Sequence, residues 1–366
     1  MTYTGAKVEI ETEHIPNTLE NPEWPLLIAG PCSAESEEQL LDIAVKLKNT
    51  RRISVFRAGI WKPRTRPNSF EGIGVRGLPW MQKVKRKTGL RIATEVANAE
   101  HVELALKYEV DMLWVGARTS ANPFSVQEIA DALKGADVAV LVKNPVNPDT
   151  ELWIGALERI SKAGIKKLGA IHRGFSSHEK SVFRNSPMWN IPIELKAACP
   201  QLPIICDPSH ICGNTELIPF ISQKALDMDM KGLMIEVHNN PPCAWSDAKQ
   251  QLTPERYGEL IYGLLLRSSL PLADESQSPL AKLRAEIDLL DDEIIQKLSL
   301  RMNISGKIGL YKKENNVKIL QMSRWNNIVA NRINMGKAMG LSEEFLKRYL
   351  DLIHQESINI QSAIMN

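Results

Sequence analysis

The chain has 366 residues, which is more than one hydrophobic core of ordinary size can organise, so we expect two domains. Lysine and arginine total 45 against 43 aspartate and glutamate, and this near balance excludes a general nucleic-acid binder. No apolar run has the length of a membrane span, and residues 1–24 are too polar for a signal peptide. The five cysteines are scattered and odd in number, which favours a reducing cytoplasm. We therefore predict a cytoplasmic enzyme without a nucleic-acid or membrane partner.

Residues 26–267 alternate short apolar runs with amphipathic stretches. Eight runs are predicted as strands, at 26–31, 54–57, 91–96, 112–116, 139–143, 167–172, 203–206 and 233–237. Helical patterns lie between or after them, among them 37–47, 99–108, 148–161, 216–226 and 254–266. About eight β/α units favour an α/β fold of the (β/α)8 barrel type. A doubly wound open sheet is the alternative, because periodicity does not reveal strand order.

Polar or ionisable residues follow every predicted strand, at the end that forms the functional rim of a barrel. Packing alone does not require this arrangement. The residues are Cys32, Arg57, Lys62, Arg64, Glu95, Ala117-Arg118, Lys143, His172-Arg173, Asp207, His210 and Glu236.

Two chemical groups stand out among these residues and Asp247. Cys32, His210, Glu236 and Asp247 offer a thiolate, an imidazole and two carboxylates, a set suited to a divalent transition metal such as Mn, Fe, Co or Zn. The other group is cationic and would repel itself unless anions join it, which indicates ligands with two phosphates and a carboxylate. Its members are Arg57, Lys62, Arg64, Arg118, Lys143 and Arg173.

Five motifs in this region resemble, in the same order, those of the type I 3-deoxy-D-arabino-heptulosonate 7-phosphate (DAHP) synthases. They are Ala29-Gly30-Pro31-Cys32-Ser33, Lys62-Pro63-Arg64-Thr65, Gly116-Ala117-Arg118, Asp207-Pro208-Ser209-His210 and Ile235-Glu236-Val237-His238. Within that family the chain resembles the shorter sequences, which are related to the 3-deoxy-octulosonate 8-phosphate synthases. Those siblings carry an Asn-containing motif in place of Lys-Pro-Arg-Thr, so Pro63 and Arg64 favour erythrose 4-phosphate here; an octulosonate-type synthase using arabinose 5-phosphate is the alternative.

The resemblance implies condensation of phosphoenolpyruvate with erythrose 4-phosphate, and it implies roles for the rim residues. Arg118, Arg173 and the Ala117 amide would hold the phosphoenolpyruvate phosphate, with Glu95 acting through water. Its carboxylate would lie on Arg57, Lys62 and Lys143, and Asp207 would belong to the same substrate site. Arg64 and Thr65 would hold the acceptor phosphate, and Lys62 would protonate the new alkoxide.

Beyond residue 267 the pattern changes. Residues 268–279 are polar and contain proline, which predicts a linker between a domain at 1–267 and one at 280–366. A long helix is predicted at about 278–313, followed by helices at about 322–339 and 342–364 around Gly340, a small three-helix unit. At about 1.5 Å per residue the first helix spans roughly 50 Å, more than such a unit covers, so we expect it to pair with the same helix of a second chain. Its apolar positions are Leu280, Leu283, Ile287, Leu290, Ile294, Leu298 and Met302.

The polar residues of this unit resemble the active site of the all-helical chorismate mutases. They are Arg284, Arg301, Lys312, Arg324, Ser357 and Gln361. The resemblance implies rearrangement of chorismate to prephenate, with the arginines on the carboxylates and with Lys312 and Gln361 donating to the ether oxygen. Arg284 and Arg301 lie about 25 Å apart along one helix, too far to grip one small molecule together. The family explains this by a homodimer in which Arg284 enters the partner's site.

Two positions depart from the mutase pattern and keep other readings open. Trp325 stands where the family usually has an acidic residue, and Gln321 where it often has one. The unit is therefore either a working mutase, a binding module through which prephenate or chorismate controls the barrel, or only a dimerisation module. The first two readings are compatible, and we expect both.

Overall fold

The structure is a computed structural model, and it describes residues 10–13, 15, 24–62, 70–177, 181–267 and 279–365. The chain separates into two compact units, residues 1–269 and 270–366. The predicted linker lies almost entirely outside the described residues. All five cysteines are free thiols. Within the described chain, no helix has both the length and the apolar character needed to cross a bilayer.

The first unit is a closed barrel of parallel strands in sequential order, which confirms the barrel prediction and rules out the open sheet. Closure comes from the pairing of the first and last strands, where Leu26 aligns with Gly232 and Gly30 with Glu236. The strands are β1 (Leu26–Gly30), β2 (Val55–Arg57), β3 (Arg91–Val96), β4 (Met112–Val115), β5 (Ala139–Lys143), β6 (Leu168–His172), β7 (Ile204–Cys206) and β8 (Gly232–Glu236).

Alternation along each strand builds two separate cores. In β1, Leu26 and Ile28 point into the barrel, whereas Leu27 and Ala29 pack against the surrounding helices. Because both faces of the sheet are buried, the strands are almost continuously apolar instead of alternating with polar residues. The inner core consists of Ile15, Leu26, Ile28, Val55, Ala93, Met112, Trp114, Ala139, Leu141, Ile171, Ile205 and Met234.

The N-terminal segment closes the end of the barrel opposite to the carboxyl ends of the strands. Ile15 belongs to the inner core, and the Glu13 N–H donates to the Lys166 carbonyl just before β6. The Thr12 hydroxyl donates to the Gln201 carbonyl before β7. Any site inside this barrel therefore opens toward the other rim.

Helices connect the strands, and most begin at a side-chain cap. Asp149 accepts from the Leu152 N–H, so the helix predicted from residue 148 begins at Thr150. The helix predicted to reach residue 266 ends at Gly263, because Leu264 is extended and the Leu265 N–H donates to Gln223. The helices of this unit are α1 (Glu37–Asn49), α2 (Gly77–Thr88), α3 (Ala99–Lys107), α4 (Pro123–Ala132), α5 (Thr150–Lys162), α6 (Asn190–Ala198), α7 (Pro208–Cys212), α8 (Ile218–Asp227) and α9 (Pro254–Gly263).

The second unit consists of three helices, as predicted: α10 (Pro279–Glu314), α11 (Met322–Ala338) and α12 (Glu343–Met365). Helix α12 packs against both of the others. The first part of α10 keeps its apolar residues exposed, since Leu283, Ile287 and Leu290 are each more than half accessible in the single chain. Only from about Leu298 and Met302 onward is this face partly covered.

His172 gives the barrel a defined sensitivity to acid. It is fully buried between Phe175 and Trp189, and among the described residues neither ring nitrogen makes a hydrogen bond. Burial, reinforced by the nearby Arg173 cation, lowers its pKa from 6.5 to about 3. The folded chain therefore keeps His172 neutral where the unfolded chain protonates it, and this contribution to stability is complete above pH 6.5 and lost as the pH falls below it.

We expect His172→Gln to lose less stability in acid than the wild type. Between pH 6.5 and 5 the difference should reach roughly 2 kcal/mol, because one proton is worth about 1.4 kcal/mol per pH unit. Urea unfolding of the barrel, followed at half-unit steps of pH, measures the two slopes. Parallel pH profiles for the two proteins would mean that His172 does not titrate on unfolding.

Candidate active sites

A thiol and two carboxylates meet at the carboxyl end of the barrel. The ligand atoms of Cys32, Glu236 and Asp247 all lie within 4.8 Å of one another. Cys32 follows β1 and Glu236 ends β8, so closure of the barrel brings these two together. Asp247 arrives from the loop after β8, and the Cys32 Sγ lies 3.2 Å from its Oδ2.

Hydrogen bonds between the β1 and β8 loops hold this cluster in place. The Cys32 N–H donates to Gln251 Oε1 at 3.0 Å, and the amide of the same Gln251 donates to the Ser246 carbonyl. Ser33 and Ser246 also share a hydroxyl–hydroxyl contact. The two loops that carry Cys32 and Asp247 are thus fixed relative to each other.

His210, the fourth predicted ligand, lies beside the cluster but outside that mutual distance. Its Nε2 is 3.8 Å from Glu236 Oε1, and its Nδ1 lies 2.8 Å from Asp207 Oδ2. Burial lowers the pKa of His210, which favours the neutral ring that binds metals. The Asp207 carboxylate therefore fixes the ring orientation, with Nε2 on the side of Glu236.

Electrostatics keep the two carboxylates charged in spite of their surroundings. Burial alone would raise the pKa of Glu236, but His210 and Arg57 outweigh it and the pKa is lowered. The pKa of Asp247 is also held well below its usual range, with Arg184 as the main cation. Burial, followed by the Glu236 carboxylate, raises the pKa of Cys32 to about 12.

The donor chemistry of this cluster fits a divalent transition metal. The cluster combines a thiolate and carboxylate oxygens with an imidazole at its edge. Mn, Fe, Co and Zn accept such mixed ligand sets. Glu236 Oε1 is fully buried; it lies 3.3 Å from Arg57 Nη2 without hydrogen-bond geometry, so within the described chain it has no hydrogen-bond donor. A buried carboxylate oxygen without a hydrogen-bond donor is well suited to bind a metal ion.

Buried cations line the barrel next to this cluster. Arg57 is only 1% exposed and its guanidinium lies 4.8 Å from the centre of the Trp114 ring. Its Nε and Nη1 have no hydrogen-bond acceptor among the residues that the structure describes. Lys143 bonds Asp207 at 2.8 Å and also faces Trp114, while Lys62 donates to the Cys32 thiol at 2.8 Å. Because unsatisfied buried guanidinium groups are costly, this pocket is prepared for an anion.

Further cations lie around the neighbouring strands. Arg173 follows β6, and burial lowers its pKa to about 10, with Arg184 and Arg118 among the groups that add to the shift. Arg118 is exposed after β4, beside the half-buried Ala117. Glu95 accepts from the Trp114 indole at 2.9 Å, which is a direct contact that the sequence did not indicate. Arg64 and Thr65 lie outside the described residues.

Glycine at position 116 is required by the position of Glu95. A Cβ at Gly116 would overlap the Glu95 carboxylate, whereas a Cβ at Gly155 in α5 would meet no atom within 4 Å. We expect Gly116→Ala to displace Glu95 and to lower kcat/KM of the barrel by roughly 100-fold, the cost of a misplacement of about 1 Å. Steady-state assays of the barrel reaction measure this.

Gly155→Ala is the matched control, because the same methyl group enters an open position within a helix. It should leave kcat/KM unchanged and raise the unfolding free energy by up to about 1 kcal/mol. Equal activity of the two alanine variants would contradict the importance of Glu95.

Four of the six predicted site residues of the helical unit make contacts within it, and two of them, Arg301 and Ser357, contact each other. Arg301 Nη1 donates to the Ser357 hydroxyl at 2.6 Å, and Lys312 donates to the Ile319 carbonyl at 2.5 Å. Gln361 is buried against Gly309, and its Oε1 lacks a donor among the described residues. Partial burial lowers the pKa of Lys312, which weakens its hold on its proton.

The other two predicted residues of this unit, Arg284 and Arg324, are exposed. Arg284 stands near the start of α10, seventeen positions before Arg301, as the sequence had implied. Trp325 stacks on His354, with ring centroids 3.8 Å apart and planes at 12°. An aromatic pair therefore occupies the place where the family pattern has a carboxylate.

Sequence reasoning missed several residues that orient the barrel site. They are uncharged or lie in loops without a strand pattern, so no motif marked them. Their contacts converge only through the fold: Trp114, Asn144, Arg184, Asn185, Gln250 and Gln251.

Comparison with known proteins agrees with both halves of the chain. Residues 18–263 match the model of the DAHP synthetase I family, and residues 283–362 match chorismate mutase type II. Phospho-2-dehydro-3-deoxyheptonate aldolase of Thermotoga maritima is 32% identical over 235 residues, which are 64% of this chain and 67% of that protein. A 2-dehydro-3-deoxyphosphooctonate aldolase of Bordetella petrii is 28% identical, covering 68% of this chain and 91% of the relative.

The solved structures give the same result for the barrel. A crystal structure of phospho-2-dehydro-3-deoxyheptonate aldolase (DAHP synthase) from Thermotoga maritima superposes with a TM-score of 0.60 at 30% identity, over 69% of this chain and 72% of that one. The chain therefore belongs to the DAHP synthetase I family, and residues 283–362 form a second domain, of the chorismate mutase type II family.

Proposed function

We propose that the barrel condenses phosphoenolpyruvate with erythrose 4-phosphate and water to DAHP and phosphate, and that the helical unit converts chorismate to prephenate. The observation that carries the first half is the buried Arg57, whose Nε and Nη1 lack an acceptor among the described residues, next to the thiol–carboxylate cluster. The reaction joins an anionic donor to a polarised aldehyde. It therefore requires an anion-binding pocket next to a metal-binding site.

Two sets of cations would bind the two anionic groups of phosphoenolpyruvate. Arg57, Lys62 and Lys143 would bind its carboxylate at the bottom of the pocket, against the Trp114 ring. Arg118, Arg173 and the Ala117 amide would bind its phosphate, with Glu95 acting through water. Held at both ends, the enol carbon C3 faces the aldehyde, and this positioning supplies much of the rate.

Cys32, His210, Glu236 and Asp247 would hold a divalent transition metal. The chemistry that such an ion supplies when bound is polarisation of the aldehyde oxygen. Lys62 lies at the cluster, with its ammonium 2.8 Å from the Cys32 Sγ. We assign to it the proton that the new alkoxide takes up as the carbon–carbon bond forms. Asp207 keeps Lys143 and His210 in place, since its Oδ2 pairs with Lys143 and its Oδ1 accepts from the His210 N–H.

Arg64 and Thr65 would select erythrose 4-phosphate through its phosphate. A substrate-preference assay with erythrose 4-phosphate and arabinose 5-phosphate tests this choice. Higher kcat/KM with arabinose 5-phosphate would instead assign the octulosonate-type reaction, which is the activity named for the Bordetella relative.

The helical unit needs no acid, base or nucleophile, since the rearrangement is pericyclic. Arg301 and Arg324 of one chain and Arg284 of its partner would bind the carboxylates of chorismate, with Ser357 beside Arg301. Lys312 and Gln361 would face the ether oxygen, where negative charge grows as the bond breaks. Gln361 Oε1 has no hydrogen-bond donor among the described residues, which marks a buried place for a polar ligand.

The exposed apolar residues of α10 support a homodimer through the helical unit. Leu283, Ile287, Leu290 and Ile294 lie on one side of the helix and are each about half exposed or more. An apolar stripe of this length is unusual on a monomer, and pairing with a second copy would cover it. Sedimentation of the full chain and of a chain ended after residue 267 tests whether this unit makes the dimer.

Control of the barrel by prephenate or chorismate is the second candidate role of the helical unit. Trp325, which stacks on His354, favours it: an indole cannot accept a hydrogen bond from the substrate hydroxyl as a carboxylate would, which favours binding over efficient turnover. Synthase rates with and without prephenate, on the full chain and on the barrel alone, decide it. Equal rates in all four assays would remove this role.

One experiment tests the main proposal. Both reactions are assayed on the purified full chain, with and without a chelator. We expect the chelator to abolish DAHP formation and to leave prephenate formation intact. A chain that consumes no phosphoenolpyruvate after metal is restored would refute the barrel assignment. We also propose a cytoplasmic location for this biosynthetic enzyme.

A further inference from the structure

We propose that Arg184 and Asn185 are positioning residues that fix the thiol–carboxylate cluster relative to the cations around Arg173. The role of the cluster rests on the proposed function above. Neither residue belongs to the five motifs, and both lie between β6 and α6, away from the strand ends that marked the other site residues.

The first step concerns the two carboxylates. Arg184 Nη1 donates to Asp247 Oδ1 at 2.8 Å and to Gln250 Oε1 at 2.7 Å. The Gln250 amide in turn donates to Glu236 Oε2 at 2.7 Å. One guanidinium nitrogen therefore orients both carboxylates. It leaves Asp247 Oδ2 facing the Cys32 Sγ, and it leaves Glu236 Oε1 without a hydrogen bond from the described residues.

The second step concerns the backbone at Asp247. Its φ is 47°, in the left-handed region that residues other than glycine seldom adopt. Such a conformation persists only where the surroundings impose it. The contact with Arg184 is one of the interactions that hold Asp247 in this conformation. Since the Arg184 side chain is 47% exposed, its ion pair adds little to stability, and its main effect is on orientation.

The third step concerns what holds Arg184. Its N–H donates to the Cys212 carbonyl at 3.3 Å. Its side chain packs over Gly213, where a Cβ would collide with it. Arg184 is thus anchored to the end of α7, the short helix that carries His210.

The fourth step concerns Asn185. Its Nδ2 donates to the His210 carbonyl at 2.6 Å, and its Oδ1 accepts from Arg173 Nη1 at 2.9 Å. One amide therefore links the helix of His210 to a guanidinium assigned to phosphate. Together the two residues set the distance between the metal half and the anion half of the site.

The test measures metal affinity as well as activity. The full chain is stripped with a chelator and titrated with cobalt(II), whose thiolate charge-transfer band reports bonding to Cys32. We expect Arg184→Gln to bind cobalt about 10- to 100-fold more weakly than the wild type, the usual cost of losing a group that orients metal ligands. Arg184→Lys keeps a charged donor and should recover part of the affinity.

Arg267→Gln is the matched control, because it removes a guanidinium paired with Asp227 on the surface of the same unit. It should bind cobalt like the wild type. Gln250→Met is a second test. It removes the buried amide that links Arg184 to Glu236, and it should weaken cobalt binding even if Arg184→Gln does not fold. Asn185→Leu should instead raise the KM for phosphoenolpyruvate more than it weakens cobalt binding.

Cobalt binding within twofold of the wild type in both Arg184→Gln and Gln250→Met would overturn the proposal, as would a wild-type chain that binds no cobalt. Failure of the proposed function looks different. In that case the wild-type chain binds cobalt, and the variants weaken the binding as expected, but no DAHP forms.

Discussion

Replacing Cys32 by serine should abolish DAHP formation while prephenate formation continues at the wild-type rate. Serine is nearly isosteric but offers a hard, protonated oxygen in place of a thiolate, so the cluster with Glu236 and Asp247 loses its soft ligand. A bound metal contributes several kcal/mol to charge stabilisation, so we expect a loss on the order of 1,000-fold in kcat. Coupled assays of both reactions on the same preparation measure it.

The matched control for this substitution is Cys243→Ser. Cys243 is exposed and lies in the loop after β8, where its sulfur accepts only from the Asn240 side-chain amide among the described contacts. Its replacement should change neither reaction. If Cys32→Ser retains more than a tenth of the synthase rate with its metal bound, the thiol is not a ligand that the reaction needs.

A mixture of two inactive mutase variants should recover activity. In the proposed dimer each site takes Arg284 from one chain and Arg301 from the other. Arg284→Ala and Arg301→Ala should each lower chorismate turnover by roughly 1,000-fold, since each removes a charged contact to a carboxylate. In a mixed dimer one site lacks both arginines and the other has both.

Random exchange of equal amounts makes half of the dimers mixed, each with one intact site, so about a quarter of the wild-type rate should return. Chorismate consumption before and after joint refolding of the two variants measures it. Arg332→Ala, on the exposed face of α11, is the control and should be active alone. Without any recovery on mixing, Arg284 would act within its own chain or not at all.

The strands of the barrel were predictable because each combines a short apolar run with a polar residue at its end. The predicted ends differ from the observed ones by at most one residue, as in β2, which begins at Val55 after Ser54. The Ser54 hydroxyl accepts from the Leu27 N–H, a contact between the neighbouring segments β1 and β2 that no local pattern encodes. Sequential order around the barrel also required the fold, because it depends on pairing between distant segments.

Most residues of the candidate site that follow strands were predicted, whereas several of those in the loops were missed. Cys32 and Glu236 are neighbours because β1 and β8 pair, which a barrel implies. Arg184 and Asn185 have no such marker, since they reach the site from the long connection after β6. Trp114 resembled an ordinary core residue, yet its indole bonds Glu95 and its ring lies against Arg57.

Because the apolar face of α10 is exposed in the single chain, the stability of the helical unit should depend on protein concentration. If a second copy buries this face, dilution dissociates the dimers and exposes the apolar surface whose burial stabilises the long helix. The barrel buries two hydrophobic cores within a single chain. Melting curves at falling protein concentration should therefore separate into two transitions, and only the one that belongs to the helices should move.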